Sequence, residues 1–354
     1  MGILSSYMMR TIVAGTFLVL LALLALIGLS EFIQQLDDIQ GDYQVPQALL
    51  YAMLTMPQLA FEMIPIAVLI GSLLGLGGLA NSSELVVMRT AGLSAYRIAG
   101  MVAVTGAILM VLTGLLGEYI GPPLDYFART MRNELRLGKE GTQIDNAAWV
   151  KDGPVIMHLE RVSPEFEFGT LYMFRFNEDN TLQSIARAEN SGIDDSDQWV
   201  LENFRETVFR DDGVQVVQSS IAVESFNVNS DLLGITLVKP ISLSARGLLS
   251  YIDYLHRNGL SAVRYEMEIW SRVSKTATVV IMPVLALAFV FGSLRSSGSG
   301  TRLVLGVLIG LAYLLASEMI ANSGQVFKLN PAVITWIPSI ALLLVTMLAL
   351  SRVR

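Results

Sequence analysis

The chain reads as an α-helical membrane protein with six transmembrane helices, three on either side of an inserted β-domain of sandwich or jelly-roll type. Two observations predict this class. Six long apolar segments fall into two sets of three, and the polar block between them, residues 122–265, switches to the two-residue alternation of strands. The expected organisation is therefore helices over 1–121, the β-domain over 122–265 and helices again over 266–354.

The helices follow from length and charge. A hydrocarbon core of ~30 Å needs about 20 apolar residues as helix. Residues 11–30, 63–83, 98–117, 276–294 and 329–351 carry no charge, and 303–321 carries only Glu318. The first run is longer than the apolar stretch of a secretory signal and lacks a small-x-small cleavage site, so it reads as a retained anchor.

Orientation follows from the basic residues, which collect on the cytoplasmic side of span ends. With both termini cytoplasmic, the cytoplasmic segments hold Arg10, Arg89, Arg97, Arg295, Arg302, Arg352 and Arg354 against the single acid Glu84. The opposite loops hold Glu31, Asp37, Asp38 and Asp42 with no base, and later Lys328 alone. The polar block then lies on the side of the membrane away from the cytoplasm. Its acids exceed its bases by the full net charge of the chain, −7, which argues against a nucleic-acid partner. With no Cys in the sequence, disulfides do not stabilise it.

Inside the block, Val155, Met157 and Leu159 alternate with Ile156, His158 and Glu160. Residues 171–176 and 182–188 flank the turn Asn177-Glu178-Asp179-Asn180, and 204–210 and 214–220 flank Asp211-Asp212-Gly213, whose glycine suits positive φ. Tyr172, Met173, Phe174, Phe176, Trp199, Phe204 and Phe209 serve either a filled core or a slot that shelters acyl chains.

The most specific stretch is the loop between spans two and three, residues 81–92. Ser82 or Ser83 can cap a short helix, Glu84 sits in its first turn where the helix dipole favours an anion, and Gly92 supplies a left-handed stop. Leu85 and Met88, three apart, form one apolar face with Val86 and Val87 beside it. The expectation is that this face is exposed, either to a groove in a partner protein or to lipid headgroups.

These residues carry a resemblance. Gly71-Ser72-Leu73-Leu74-Gly75-Leu76-Gly77 followed by Ser83-Glu84-Leu85-Val86-Val87-Met88-Arg89-Thr90-Ala91-Gly92 resembles the signature of the lipopolysaccharide export permeases, the LptF/LptG family. The likeness extends over the whole chain, including Ala148-Trp149-Val150-Lys151-Asp152-Gly153, Leu182-Gln183-Ser184, Tyr265-Glu266-Met267-Glu268-Ile269-Trp270-Ser271 and Phe291-Gly292-Ser293-Leu294-Arg295-Ser296, the last blocks being closer to the LptG branch. It implies a periplasmic β-jelly-roll domain and one transmembrane half of an ABC transporter, paired with an LptF permease, driven by a dimer of the ATPase LptB, and delivering lipopolysaccharide through LptC to a periplasmic bridge. It also implies that residues 82–92 form the coupling helix, with Glu84, Leu85, Met88 and Arg89 engaging the ATPase. No G-x-x-x-x-G-K-[ST] motif occurs, so ATP and Mg²⁺ are expected on the partner and no cofactor on this chain.

Lipopolysaccharide carries phosphates on an acylated sugar, so its site calls for Arg or Lys near the outer membrane surface. Arg129, Arg132 and Arg136 share one face if the third helix continues outward; Arg272 and Lys275 open span four. Ordinary interfacial snorkelling is the competing explanation. Some relatives carry Lys at the outer end of span one, where this chain has Asp37 and Asp38, so that phosphate contact does not transfer unless a hard cation bridges it. Gly71-xxx-Gly75 and Gly306-xxx-Gly310 allow close helix packing, within the bundle or at the gate where the family brings spans one and five of its two permeases together. Glu62, Glu118 and Glu318 are expected to face the bundle interior, a water-filled cavity or a basic partner. Read alone they also fit an ion-coupled carrier, although the sequence lacks convincing inverted repeats and only Pro57 and Pro65 interrupt span two.

Overall fold

The computed structural model describes residues 2–141, 147–160, 168–177, 179–194, 197–210, 212–228, 232–233, 240–292 and 298–352. Glu178, Asp211, Ser293, Leu294, Arg295, Ser296 and Arg354 lie outside them. The chain divides into two compact units, one of Met1–Asp37, Leu49–Ala128 and Val263–Arg354, the other of Asp38–Ala48 and Arg129–Ala262.

Six helices of the described residues are long and apolar enough to span a membrane. The first two are α1 (Ile3–Asp37) and α2 (Val45–Asn81). Pro57 and Pro65 lie inside α2 without ending it, contrary to the interruption expected, because packed neighbours in a bundle compensate for the lost backbone bonds. The short helix α3 (Glu84–Thr90) follows, then α4 (Ala95–Leu115), a π-turn (Leu116–Ile120) and α5 (Gly121–Gly141). These last three make one continuous rod. Pro122 and Pro123 cannot donate to the carbonyls of Glu118 and Tyr119, and the wider π-turn accommodates their rings without breaking the helix. After the β-domain and its helix α6 (Ala245–Arg257) come α7 (Val263–Phe291), α8 (Ser299–Val326), α9 (Pro331–Ile334) and α10 (Ile337–Ser351).

Glycines set the helix spacing. A Cβ on Gly71 would lie 2.3 Å from the Thr16 nitrogen, and one on Gly15 would lie 2.5 Å from the Gly71 carbonyl oxygen, so α1 and α2 touch backbone to backbone. On its other side α2 presents Ile66, Ile70 and Leu73 to Gly306 and Gly310 of α8. Both glycine pairs noted in the sequence therefore pack within this bundle. Met8, Ile12, Leu69, Leu73, Leu76, Ile98, Val102, Val279, Met282 and Leu285 fill its centre. In their most apolar windows α2 and α7 are 61% and 56% buried, α1 and α8 only 22% and 17%. The latter two thus present most of their apolar surface outward.

A polar joint crosses the second half of this unit. Ser274 donates to the Thr335 carbonyl (2.9 Å), which lies at the break between α9 and α10. Ser339 lies 2.7 Å from both the Ser274 and the Thr278 hydroxyls, and Tyr313 donates to Thr278 (3.0 Å). Each of these buried hydroxyls thereby has a hydrogen-bond partner, as burial requires.

In the second unit, seven strands form one antiparallel sheet, a curled half-barrel: β1 (Ala148–Asp152), β2 (Val155–Leu159), β3 (Leu171–Phe176), β4 (Leu182–Ala188), β5 (Asn190–Ile193), β6 (Trp199–Arg210) and β7 (Gly213–Glu224). Both β4 and β5 pair with β6 in one register, so they behave as a single strand interrupted at Glu189. Asn180 (φ 56°) and Gly213 (φ 145°) take the positive-φ positions of the two hairpins. One face buries Val150, Met157, Met173 and Ala186 in register, and Trp199 donates its indole N–H to the Val228 carbonyl (3.0 Å). Met173, Trp199 and Phe204 are thus core. Tyr172 and Phe174 are not: they stand on the opposite, partly exposed face, so no inward-facing role fits them.

Helix α6 (Ala245–Arg257), capped by Ser244 accepting from the Gly247 N–H, buries Leu248, Tyr251, Tyr254 and Leu255. Tyr254 holds β1 at both backbone groups of one residue, accepting from the Lys151 N–H (3.2 Å) and donating to the Lys151 carbonyl (3.0 Å). Burial pushes its phenol above the ordinary value, which keeps the donor protonated.

Replacing Gly71 by Val should cost about 1–3 kcal/mol, the usual range for overpacking. The check is the thermal unfolding midpoint of the purified chain in detergent, where Gly78→Val, at a site open beyond 4 Å, serves as the comparison and should shift it far less.

Candidate functional site

Helix α3 has seven residues, too few to be stable in isolation, so its placement depends on what it packs against. Leu85 and Met88 are 1% and 8% exposed and belong to the central bundle core. This reverses the sequence expectation. The apolar pair that marked one face is the anchoring side, and the outward side consists of Val86, Val87, Arg89 and Thr90. An i, i+3 pair identifies a face without saying which way it points.

Both ends of α3 are fixed. Ser83 precedes it in the left-handed conformation (φ 62°), and its side chain caps nothing. Ser82 instead donates to the Glu84 carboxylate (2.8 Å), and Glu84 also meets the side chain of Tyr7 on α1. Gly92 (φ 93°) ends the helix as its position predicts, with the Leu93 N–H bonded back to the Met88 carbonyl. The Arg89 guanidinium lies 5.6 Å above the Phe291 ring at the end of α7. Between α3 and these helix ends runs a groove of about 320 Å³ lined by Ala80, Leu85, Val86, Arg89, Thr90 and Phe291. A partner meeting this end would find two valines, one carboxylate and one arginine on a rigidly held helix.

Close by, Arg302 in the first turn of α8 is 1% exposed and donates to the Asn81 side-chain carbonyl (3.0 Å). Its guanidinium occupies the space that a Cβ at Gly77 would need, with Nη1 2.5 Å from that point. Sequence reasoning counted Arg302 only as a topology charge; it is a buried link from α8 to the last turns of α2.

The second cluster is cationic. Because α5 continues α4 outward, Arg129, Arg132 and Arg136 share one helix face, all half-buried. Asp38 joins them, 3.7 Å from Arg132 and 3.2 Å from Arg136. The loop that carries it is docked tightly: the Asp42 N–H bonds the Leu135 carbonyl, and Gly41 (φ 61°) sits where a Cβ would be 3.0 Å from two carbonyl oxygens of α5. Asp38 is thus an ion-pair partner of two of these arginines. Among the described residues no group of three or more His, Asp or Glu side chains is assembled to hold a metal ion.

Arg272 is buried and bonded to Glu268 one turn earlier (2.9 Å), so its charge is already engaged within α7. Lys275, half-buried, is a charged neighbour of Glu62, which also has Glu268, Glu318 and Asp125 around it. Glu62 and Glu118 are half-buried, whereas Glu318 on α8 is exposed.

Among the described residues, six apolar helices long enough to span a bilayer, two of them central and two facing largely outward, define a multi-pass membrane protein with a β-domain inserted at the midpoint of its sequence. The chain belongs to the lipopolysaccharide export system permease LptF/LptG family, whose model matches residues 6–352. It is 32% identical over 357 aligned positions to the lipopolysaccharide export system permease protein LptG of Escherichia coli (strain K12), covering 99% of this chain and 98% of that one. It is 30% identical over 353 positions to the protein of the same name from Haemophilus influenzae, covering 99% of both.

The contacts that sequence reasoning missed, Tyr7 with Glu84, Asp38 with two arginines and Arg302 with Gly77 and Asn81, all join residues far apart in the chain. Neutralising Asp38 should remove one ion-pair partner from each of Arg132 and Arg136. Asp38→Asn is expected to lower stability by less than about 1 kcal/mol, since the pair is partly exposed, with the difference shrinking in high salt; thermal denaturation at two salt concentrations measures it.

Proposed function

We propose that this chain is a permease subunit, of LptG type, in an ABC transporter that extracts lipopolysaccharide from the inner membrane and passes it to a periplasmic bridge. It pairs with an LptF subunit, takes its work from an LptB dimer that binds ATP and Mg²⁺, and meets LptC on the side of the β-domain. The observation that carries the reading is the family match across residues 6–352 together with a short, solvent-facing α3 held rigidly in the bundle.

The orientation adopted is the one the basic residues favour, with the termini and α3 cytoplasmic and the β-domain periplasmic. Closure of the ATPase dimer would press on Val86, Val87 and Arg89. Buried Leu85 and Met88 would transmit the displacement into α1, α2 and α7, because a close-packed core moves as a body. Glu84, which accepts from Ser82 and lies beside Tyr7, orients the lever and is the carboxylate a basic partner residue would engage. Arg129, Arg132 and Arg136 hold lipopolysaccharide phosphates at the outer surface. Arg272 and Lys275 have acidic neighbours, Glu268 and Glu62, and contribute less.

In vesicles containing the full complex, Glu84→Ala should lower ATP-driven glycolipid release at least tenfold while the complex still copurifies intact; release at the wild-type rate would remove the coupling role. Arg132→Gln combined with Arg136→Gln should reduce the lipopolysaccharide that copurifies with the complex several-fold, and undiminished lipid would place its phosphates elsewhere.

A further inference from the structure

The outer face of the β-sheet carries a row that the export function does not use. Trp149, His158, Tyr172, Arg187 and Arg205 are directly opposite one another on successive strands β1, β2, β3, β4 and β6. Residues paired in this way stand on the same side of a sheet, so the five side chains form a ladder. At about 4.8 Å per strand it is about 19 Å long.

The rings are ordered against each other. Trp149 is 65% exposed, lies 4.6 Å from His158 and stacks on Phe174 of the adjacent row at 6.2 Å and 24°. His158 continues to Tyr172 at 6.2 Å, and the Arg187 guanidinium lies 5.8 Å above the Tyr172 ring. A large aromatic left open on a sheet, with its plane fixed by neighbours, is costly unless something covers it.

The far end of the ladder has its own anomaly. Arg187 and Arg205 are both exposed and face each other in register, a like-charge pairing that destabilises a sheet. Among the described residues neither forms an ion pair. Beside them opens a cavity of about 450 Å³, which Glu189, Asn203, Gln218 and Ser220 also line. Two guanidinium groups against the single carboxylate of Glu189 give this cavity an excess of positive charge, which suits an oxyanion.

We propose that this face binds a phosphorylated saccharide, with pyranose rings laid on Trp149, His158 and Tyr172 and a phosphate held between Arg187 and Arg205. Sugars present flat faces of C–H bonds that stack on exposed aromatic rings, and their phosphate substituents meet the arginine pair. The order of the ladder, aromatic then basic, matches a chain that is uncharged at one end and anionic at the other. The proposal deepens the export reading, since it assigns the saccharide of the transported glycolipid a resting place on the outside of the β-domain, separate from whatever its acyl chains contact.

The test is calorimetric binding of deacylated, phosphorylated core oligosaccharide to the full-length chain in nanodiscs. Saturable binding is expected. Trp149→Ala, and Arg187→Gln with Arg205→Gln, should each weaken it roughly tenfold. Trp149→Tyr should retain most of it, which separates loss of a stacking ring from loss of fold. Phosphatase-treated oligosaccharide should bind more weakly and become insensitive to the arginine substitutions. Absence of saturable binding, or binding unchanged in both variants, would overturn the proposal. So would equal binding of phosphatidylglycerol vesicles lost in the same variants, which would assign the face to a lipid surface. Export is measured in parallel with lipid A, which lacks the core: the platform variants should slow only the core-bearing glycolipid. Export of both at wild-type rates, with no oligosaccharide bound, would dismiss the platform and leave the permease reading standing. A wild-type complex that releases neither lipid would count against the permease reading, and the platform is then judged on calorimetry alone.

Discussion

Backbone contact between α1 and α2 at Gly15 and Gly71 is the constraint on which the bundle rests. In lipid there is no hydrophobic force to draw helices together, so association depends on how closely their surfaces fit. With α1 seated against one side of α2 and the Gly306 and Gly310 stripe of α8 against the other, α2 becomes an axis. Its C-terminal turns then determine where α3 stands and where Arg302 can insert. A change at Gly71 is therefore expected to disturb the lever as well as the packing around it.

The lever itself combines two requirements that a seven-residue helix cannot meet alone. It must be rigid enough to transmit force, and it must offer contacts to a partner. Burying Leu85 and Met88 meets the first; leaving Val86, Val87 and Arg89 outside meets the second. The Ser82, Glu84 and Tyr7 contacts add an orientation that hydrophobic burial by itself would not specify, because dispersion and desolvation are non-directional.

Much of this was legible in the chain. Uncharged length located all six spans, alternation located the hairpins, and the positive-φ glycines at 92 and 213 fell where turn chemistry required them. What the sequence withheld was direction and distance. Leu85 and Met88 marked a face whose sense depends on the surrounding bundle, and Asp38 looked like a departure from its relatives until α5 brought arginines to it across about ninety residues of chain. Tyr172 and Phe174 looked like core for a similar reason. Alternation assigns residues to two sides of a strand, and only the assembled sheet decides which side is covered.

The hydroxyl joint of Ser274, Thr278, Tyr313 and Ser339 has a mechanical meaning. Ser274 and Thr278 donate to backbone carbonyls, while the hydrogen bonds each makes with Ser339 can take either sense by rotation about a C–O bond, with the helices in place. An ion pair at the same depth would hold the helices at one separation and penalise any slip. A ring of hydroxyls behaves more like a greased bearing, letting α8 creep against α7 and the broken last span without ever leaving a dipole bare to the hydrocarbon.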